Sequence, residues 1–442
     1  MGVFYCYAPP SFIYIRGSCL MNLELRREGI MALSAIVHRM GLAGIDSREK
    51  FRAWAKEEQT FLIHAFHYPI APGMPPIHAL FTADFHPELP LVMFNYSSTA
   101  HNTLHGHPEG WTLALRMCRG IVFELVTGRL VAHPFPKFFN LNEHPETMLE
   151  TILQKLAHFH GGAIYGWNAT KKMDGHLGII FEYKGSLLFT TRGTFGSPSA
   201  KLGTTMLRRY EERCGWKHVF NPNQTILVEL IDPATKVHVN YDGQSEFVLL
   251  GAYNRETLED IILGSITTMP SPEEFLWEIA KRLKLPAQTN GPLFSKLADP
   301  IGDLTKLIAS MKDRTVTNEE GFVIHLFDGT RFKIKYEAYI GLMVRAKLKG
   351  PTYMMNRIMA GNLDRMLLTL SEEVVPAANE QLGRILRVQF SRADLKERRE
   401  YLYGLVPPEL STTYYRGKCR EFLKFLDAGW QKPAEPNDSA EE

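Results

Sequence analysis

The chain has 442 residues, of which 45% are hydrophobic and 11% aromatic, so it can bury the cores of two or three globular domains. Lysine plus arginine totals 50 residues against 48 for aspartate plus glutamate, which excludes a binding mode based on a strongly basic net charge. A nucleic-acid partner would therefore have to be held by a local basic surface.

Cysteine usage and hydropathy indicate the compartment. The five cysteines are widely scattered and form no C-x-x-C pair, which is typical of a reducing environment without a disulfide framework. No segment approaches the ~20 consecutive apolar residues of a membrane span. Residues 1–20 lack both a leading basic segment and a cleavage site. These features predict a cytoplasmic protein with no membrane partner.

Residues 1–90 are predicted to form a partly helical N-terminal extension. Apolar residues recur with helical spacing at 24–40 and 48–66, and four prolines with a glycine at 69–76 are typical of a linker. The domain that follows is predicted to begin with a strand at 89–96.

Two cations lie in the next predicted strand and corner. Arg119 opens a strand at 118–125, and Lys137 lies in an aromatic stretch at 134–142. One interpretation is a packed corner from which Lys137 extends its amine to solvent. The other is that Arg119 and Lys137 face a common anion, and their positions alone favour neither interpretation.

A lysine lies two residues before an Asp-Gly turn in the sequence Lys172-Met-Asp174-Gly175. The turn joins strands predicted at 163–169 and 177–183, so the loop would hold a primary amine beside a pocket. Asp-Gly is also an ordinary hairpin turn, and a lysine beside it is usually solvated. The amine of Lys172 is a candidate covalent nucleophile if acidic groups for a cation and basic groups for phosphates accompany it.

Acidic groups of this kind occur in two later segments. Glu229 lies in the middle of an apolar strand predicted at 225–233, where burial of a carboxylate costs several kcal/mol unless it is paired or binds a metal. A hairpin of strands at 237–241 and 246–253 is predicted to follow. Glu320 precedes a glycine at the start of a later apolar strand.

Two lysines form a candidate phosphate site. Lys333 and Lys335 are two residues apart in a predicted strand at 331–339, so their side chains lie on one face. Neighbouring ammonium groups repel each other unless an anion lies between them, and the pair therefore predicts a phosphate ligand. Arg192, which follows a strand predicted at 187–191, could present a further cation.

The segment 342–426 is predicted to be helical, because its apolar residues are three and four positions apart. It carries a basic stripe that either follows a phosphate backbone or, as the favoured default, is a solvated helix face. The stripe consists of Arg384, Arg387, Arg392, Lys396, Arg398 and Arg399. The acidic tail at 431–442 is predicted to be disordered.

Six short motifs between about residues 90 and 345 follow one another in a specific order. They are Arg119-Gly-Ile-Val-Phe-Glu124, Lys137-Phe-Phe-Asn-Leu-Asn-Glu143, Lys172-Met-Asp-Gly175, Val228-Glu-Leu-Ile-Asp-Pro233, Glu320-Gly-Phe-Val323 and Phe332-Lys-Ile-Lys335 with Tyr339. This order resembles the bacteriophage-type RNA ligase 1 family, within the ATP-dependent covalent nucleotidyltransferases. No phosphate loop of the G-x-x-x-x-G-K type is present, so a nucleotide would have to be bound in another way.

The resemblance implies an α+β fold. A nucleotidyltransferase domain of antiparallel sheets with flanking helices would occupy 91–345, and an all-helical C-terminal domain would occupy 346–430. The implied activity is that of an ATP-dependent RNA ligase, which seals 5′-phosphate and 3′-hydroxyl ends of single-stranded RNA. In the family the lysine attacks the α-phosphorus of ATP to give lysyl-AMP, AMP moves to the RNA 5′-phosphate, and the 3′-hydroxyl displaces AMP.

The resemblance also assigns roles to residues. Lys172 would be the nucleophile, with its charged form destabilised by Lys333, Lys335 and a metal. Glu229 and Glu320 would position Mg²⁺ through water molecules, with Mn²⁺ as a substitute. The implied catalytic residues are Lys172, Asp174, Glu229, Glu320, Lys333 and Lys335. The implied ATP-binding residues are Arg119, Lys137, Lys171, Lys172, Gly175, Arg192, Glu229, Glu320, Lys333, Lys335 and Tyr339.

Departures from the family pattern and alternative functions stay open. Phe94 stands where the family has a tyrosine, although Tyr96 supplies a nearby hydroxyl. A DNA ligase or capping enzyme of the same superfamily would usually carry a small β-barrel instead of C-terminal helices. A non-catalytic RNA-binding protein would be expected to have lost the lysine nucleophile or the Lys-x-Lys pair, and both are present.

The resemblance implies particular partners. They are single-stranded RNA ends, broken tRNA among them, and an end-healing kinase and phosphatase. A phage or viral origin would place the protein in the cytoplasm of a host cell.

Overall fold

The computed structural model divides the chain into two compact units, Met1–Tyr336 and Glu337–Glu442. The division lies earlier than the predicted boundary at 345, because a strand ends at Lys335 and a helix begins at Glu337. The structure describes residues 10–104, 107–158, 166–258, 272–286, 293–294, 299–313, 315–348, 351–359, 361, 363, 375–390, 394–405 and 413–429. The predicted tail at 431–442 lies outside the described residues.

An antiparallel meander opens the first unit. Its strands are β1 Phe81–Phe85, β2 Leu91–Tyr96, β3 Arg119–Glu124 and β4 Leu130–Ala132. The helices before and between these strands are α1 Pro10–Leu42, α2 Arg48–Glu57, α3 Gln59–Ala65, α4 Ser98–Thr103 and α5 Leu113–Met117. Short 3₁₀ turns of the unit lie at Ile77–Ala79, Pro108–Gly110, Pro145–Thr147 and Pro233–Thr235.

The first 90 residues share a hydrophobic core with this sheet. Val37 of α1, Phe51 of α2, Phe81 of β1 and Phe94 of β2 belong to one buried cluster. The ring centroids of Phe51 and Phe81 are 5.4 Å apart. The helices of the N-terminal extension thus bury their apolar faces against the first sheet.

The second sheet is antiparallel, with strand order β10-β9-β7-β8. Its strands are β7 His176–Tyr183, β8 Ser186–Thr191, β9 Gln224–Ile231 and β10 Glu246–Asn254. Every residue of β9 is buried, so Glu229 is enclosed between Leu177 of β7 and Val248 of β10. Two helices contribute side chains to the hydrophobic core of this sheet. They are α7 Pro198–Cys214 and α8 Trp216–Val219.

The predicted hairpin of strands at 237–241 and 246–253 is wrong in its first strand. Residues 237–241 form no strand, and β10 pairs with β9 instead. The backbone N–H groups of His238 and Val239 donate to Asp174 Oδ2 at 2.8 and 2.7 Å. These donors are therefore not available for a sheet ladder.

The third sheet has the strand order β11-β6-β12-β13-β5. Its pairs are antiparallel except for β13 with β5, which is parallel. The strands are β5 Phe139–Asn140, β6 Trp167–Lys171, β11 Leu293–Phe294, β12 Gly321–Leu326 and β13 Arg331–Lys335. The remaining helices of this unit are α6 Leu149–Ala157, α9 Pro272–Leu283 and α10 Pro300–Ser310. The predicted strand at 163–169 lies partly outside the described residues.

The described elements of the second unit are helices, as the apolar spacing predicts. They are α11 Glu337–Leu348, α12 Thr352–Met359, α13 Val375–Phe390, α14 Leu395–Gly404 and α15 Thr413–Asp427. Met354, Ile385, Leu402 and Phe422 form part of their own buried core. Together with the sheets of the first unit, these helices confirm the predicted α+β fold class. Within the described residues, no helix combines the length and apolar character needed to cross a membrane.

Candidate active site

A cavity of about 470 Å³ lies within the first unit and is lined by residues from all three sheets and their loops. Nine of the residues assigned from the sequence line it. They are Arg119, Lys137, Lys172, Gly175, Arg192, Glu229, Glu320, Lys333 and Lys335. The motifs that are far apart in the chain thus meet around one space.

Lys172 lies in the loop between β6 and β7, immediately after the last residue of β6. Its backbone N–H donates to the Gly321 carbonyl at 2.7 Å, which fixes the start of the loop against β12. Its Nζ donates to Glu320 Oε2 at 2.7 Å, and the side chain is 24% exposed. The amine is therefore both positioned and accessible from the cavity.

Glu320 bridges two of the lysines. Its Oε2 accepts from Lys172, and its Oε1 lies 2.8 Å from Lys335 Nζ. The Glu320 side chain is only 3% exposed, so this carboxylate is held in place by burial as well as by two charge-assisted bonds. The nearest charged group to the Lys172 amine is thus a carboxylate, whereas the sequence predicted crowding by Lys333 and Lys335.

Two glycines allow the loop and the strand to approach each other. A Cβ at Gly175 would overlap the Leu230 carbonyl oxygen and come within 3.0 Å of Glu229 Cγ. Gly321 has a φ of +140°, and a Cβ there would overlap the Ile334 carbonyl oxygen. The glycines that follow Asp174 and Glu320 are therefore required by close backbone contacts.

Glu229 faces the cavity from the centre of β9. Its Oε1 accepts the backbone N–H of Gly175 at 2.9 Å, so it ties the loop of residues 172–175 to the second sheet. We call this loop the nucleophile loop, after the role predicted for Lys172. Burial raises the pKa of Glu229 to about 7, although Lys172 and the Gly175 N–H favour the carboxylate. The group is poised to change its protonation state near neutral pH.

Asp174 does not line the cavity and instead anchors the nucleophile loop to the segment that contains His238 and Val239. Its side chain is buried and accepts the backbone N–H groups of His238 and Val239. Its own N–H donates to Tyr241 Oη at 2.7 Å. The structure thus gives Asp174 a positioning role, and its assignment to the catalytic set stays a prediction.

Three cations gather on the other side of the cavity. Burial lowers the pKa of Lys333 well below its usual range, and the positive charges of Lys137, Lys172 and Arg119 act in the same direction, against Glu143. Burial also lowers the pKa values of Lys137 and Arg119. Such a cluster is relieved by an anion, which is the environment that a polyphosphate would find there.

Lys137 is enclosed by aromatic rings. Its Nζ lies 4.6 Å from the ring centroids of Trp111 and Phe139 and 5.4 Å from that of Tyr96. Its side chain is 5% exposed, and its Nζ is 3.8 Å from Glu143 Oε1. The interpretation in which Lys137 extends into solvent is therefore wrong.

Arg192 occupies the outer edge of the cavity. Its Nη1 donates to Tyr96 Oη at 2.6 Å, and its guanidinium carbon lies 5.0 Å from the Tyr96 ring centroid. Tyr96 itself lines the cavity, whereas Phe94 is fully buried in the core of the first sheet. The nearby hydroxyl noted in the sequence is thus the one that reaches the site.

Besides Asp174, two assigned residues do not line the cavity. Thr170 of β6 faces the cavity, so the next residue, Lys171, points to the opposite side, where its Nζ bonds Glu319 Oε1 at 2.6 Å. Tyr339 lies in α11 of the second unit and is buried there. Its role in phosphate binding stays a prediction.

The cavity also contains residues that were not assigned from the sequence. One of them is Arg331, which lies two residues before Lys333 in the same strand. Because alternate residues of a strand share a face, the pattern of Lys333 and Lys335 also predicts that Arg331 faces the cavity. His325 lies opposite Arg331 in the register of β12 and β13. Burial, followed by the charge of Arg331, lowers the pKa of His325 well below its usual range.

The described residues that line the cavity include two carboxylates, which is the number expected for a magnesium ion whose other ligands are water molecules and substrate phosphates. No cluster of three or more His, Cys, Asp or Glu side chains able to hold a metal occurs among the described residues. Glu229 and Glu320 both line the cavity beside the cation cluster. Mg²⁺ is typically held by one or two carboxylates together with water and substrate phosphates, and the number of carboxylates in this cavity matches that mode of binding.

Several known proteins are similar to the chain. A candidate RNA ligase of Thermovibrio ammonificans is 30% identical over 176 residues, which covers 38% of this chain and 43% of that protein. The matched segment is thus less than half of that relative. An archaeal ATP-dependent RNA ligase structure has a TM-score of 0.40 at 15% identity, covering 70% of this chain and 87% of that one. A candidate ATP-dependent DNA ligase of Aquifex aeolicus has a TM-score of 0.43 at 14% identity, covering 80% and 97%.

A family model described as RNA ligase matches residues 117–352. The match contains the whole nucleophile loop, both carboxylates and the cations of the cavity, and it covers more than half of the 442 residues. It confirms the resemblance noted in the motifs, and the chain belongs to the RNA ligase family.

Proposed function

We propose that the protein is an ATP-dependent RNA ligase that joins 5′-phosphate and 3′-hydroxyl ends of single-stranded RNA through a lysyl-AMP intermediate. The observation that carries the proposal is the convergence of Lys172, Glu320 and Lys335 by hydrogen bonds of 2.7 and 2.8 Å in one cavity. This set provides an amine nucleophile, an acceptor for its proton and a neighbouring cation. Membership of the RNA ligase family supports the same conclusion.

In the first step the Lys172 amine attacks the α-phosphorus of ATP. A P–N bond forms, the P–O bond to pyrophosphate breaks, and the amine loses a proton. Glu320 Oε2 is the acceptor nearest to that proton. Gly321 and Glu229 hold the two ends of the loop, so the amine approaches the phosphorus from a defined direction.

The cation cluster is expected to interact with the leaving group of the reaction, pyrophosphate. Lys333, Lys137 and Arg119 line the cavity and would interact with the phosphates, whose negative charge increases on pyrophosphate as the P–O bond breaks. Burial lowers the pKa values of Lys137 and Lys333, and an arriving polyphosphate would act in the opposite direction, in favour of their charged forms.

Glu229 and Glu320 would hold Mg²⁺, with Mn²⁺ as a possible replacement, and the ion would offset phosphate charge during the transfer. Glu320 also binds Lys172 and Lys335, so any interaction with a cation competes with two lysines for the same oxygens. The buried Glu229 has no such lysine partner among its described hydrogen bonds, only the Gly175 N–H.

In the second step an oxygen of the RNA 5′-phosphate attacks the phosphorus of lysyl-AMP, the P–N bond breaks, and the nitrogen takes up a proton to return the amine. In the third step the 3′-hydroxyl oxygen attacks the 5′-phosphate phosphorus, AMP leaves with the bonding electron pair, and the hydroxyl proton is lost. We extend the proposal to broken tRNA as a substrate, with ends prepared by a kinase and a phosphatase.

Circularisation of a 5′-phosphorylated RNA oligonucleotide tests the proposal. With ATP and Mg²⁺ we expect an RNA circle, whereas the same sequence in DNA should be joined much less efficiently. Efficient joining of DNA strands and little joining of RNA would favour the DNA ligase alternative. Failure to join either nucleic acid, with the protein folded, would contradict the proposed function.

A further inference from the structure

A second cavity lies beside the active one, at the turn formed by Arg192, Gly193 and Thr194. It has a volume of about 770 Å³ and lies between α2 and residues 78–84, which include most of β1. Gly193 lines both cavities, so the two spaces are adjacent at this turn. We call the second cavity the α2 groove.

Helix α2 presents a row of cations to the α2 groove. Arg48, Arg52 and Lys56 are four residues apart, which puts them on one helix face at intervals of about 6 Å. All three side chains are exposed, and all three line the groove. Phe51 and Trp54 of the same helix are buried in the core, so the orientation of the basic face is fixed.

The charges in the α2 groove are not balanced by its own acidic groups. Among the described residues that line it, Asp84 is the one carboxylate. Asp84 is buried and accepts from Arg48 Nε at 2.6 Å and from the Phe195 N–H at 2.7 Å. No ion pair within the described residues involves Arg52 or Lys56. These two cations are therefore available to an external anion.

The turn of Arg192, Gly193 and Thr194 connects the basic residues of the two cavities. Arg48 donates to Thr194 Oγ1 at 3.1 Å, while Arg192, two residues earlier, faces the active cavity. A polymer with its end beside Lys172 could pass over this turn and bring its next negative charges to Arg52 and Lys56. Single-stranded nucleic acid carries one such charge on every nucleotide.

We propose that the α2 groove binds backbone phosphates of the single-stranded RNA whose end occupies the active cavity. The inference rests on the proposed function, because RNA is the polyanion that such an enzyme joins. Phosphate contacts of this kind release condensed counterions and are therefore salt-dependent. Since ATP reacts at Lys172, the α2 groove contributes to RNA binding and not to formation of lysyl-AMP.

The test is the double variant Arg52→Ala/Lys56→Ala, measured with a 5′-phosphorylated oligouridylate by fluorescence anisotropy over a series of salt concentrations. Loss of two phosphate contacts is expected to weaken RNA binding roughly tenfold at low salt. It is also expected to reduce the slope of log K against log salt by about 1.4, which is 0.7 for each contact on a single strand. Labelling of the protein by ATP should be unchanged.

The matched control is Arg209→Ala/Lys217→Ala, which removes one arginine and one lysine from exposed positions of α7 and α8. Neither residue lines either cavity. We expect the control to bind RNA as the parent protein does. Unchanged affinity and slope in the Arg52→Ala/Lys56→Ala variant, or an equal loss in the control, would overturn the inference. A parent protein that is not labelled by ATP would count against the proposed function instead, and the RNA-binding comparison would still decide the role of the α2 groove.

Discussion

Glu229 is a residue of the active cavity whose charge depends strongly on its surroundings. Burial among the apolar side chains of β9 raises its pKa to about 7, from an ordinary value of 4.5. A carboxyl that is half protonated at neutral pH is a poor cation ligand unless the cation itself displaces the proton. The pH dependence of the protein should therefore report on this residue.

The first prediction concerns folding stability. Between about pH 4.5 and 7 the folded protein holds a proton on Glu229 that the unfolded chain has released, so stability falls as pH rises through this window. The change should be on the order of 1–3 kcal/mol. Urea unfolding of Glu229→Gln at pH 5 and pH 7 is expected to lack this part of the pH dependence. An identical pH dependence in the variant and the parent would contradict the raised pKa.

The second prediction concerns the rate of labelling by ATP. Since the ionised form of Glu229 would hold Mg²⁺, the rate should fall by about tenfold per pH unit well below pH 7. The midpoint of this pH dependence is the pH at which the labelling rate is half its maximum. Raising the Mg²⁺ concentration should move that midpoint to lower pH, because metal binding and protonation compete for the carboxylate. A midpoint that does not respond to Mg²⁺ would argue against Glu229 as a ligand.

At the scale of elements, the nucleophile loop is held from both sides by backbone hydrogen bonds. Gly321 of β12 accepts the N–H of Lys172, and Glu229 of β9 accepts the N–H of Gly175. Asp174, between them, binds the N–H groups of His238 and Val239. The loop is therefore a bridge between the second and third sheets, and its geometry depends on both.

The third prediction separates positioning from chemistry at Asp174. Asp174→Ala leaves two backbone N–H groups without their acceptor, and we expect a loss of about 1–3 kcal/mol in the free energy of unfolding. Labelling by ATP should fall along with this loss, because the loop loses its anchor. The milder variant Tyr241→Phe removes one acceptor, that of the Asp174 N–H, and should cost about 1 kcal/mol. A labelling defect in Asp174→Ala without any loss of stability would instead indicate a direct catalytic role.

Much of the site follows from strand periodicity, and the same rule explains why some assigned residues do not line the cavity. Alternation correctly placed Lys333 and Lys335 on one face, and one more step in the pattern would have included Arg331. Lys171 was assigned to ATP binding together with Lys172, but adjacent residues of β6 point in opposite directions, and Lys171 does not line the cavity. The aromatic enclosure of Lys137 could not be predicted, because Trp111 approaches only through the tertiary fold.

At the scale of the whole molecule, the chain has two separate sets of hydrophobic cores. The residues that line the active cavity all belong to the first unit, Met1–Tyr336. The second unit has its own core around Met354, Ile385 and Phe422. The sequence pattern predicted the helical character of the second unit, but local spacing could not reveal that the first 90 residues complete the core of the first sheet.

The fourth prediction is that ATP stabilises the first unit selectively. In the Lys172→Ala variant ATP can bind without reacting, and a ligand that binds only the folded state raises stability by mass action. We expect calorimetry to resolve two unfolding transitions, of which ATP with Mg²⁺ raises one by several degrees and leaves the other unchanged. A shift of both transitions would instead support a role of the second unit, through Tyr339, in nucleotide binding.

The most direct test of the whole account is the intact mass of the purified protein before and after incubation with ATP and Mg²⁺. The account predicts a gain of one adenylyl group that is absent in Lys172→Ala and retained in Lys171→Ala, whose amine lies outside the cavity beside Glu319. A protein that gains no adenylyl group, or one that still gains it in Lys172→Ala, would contradict the assignment of Lys172 as the nucleophile.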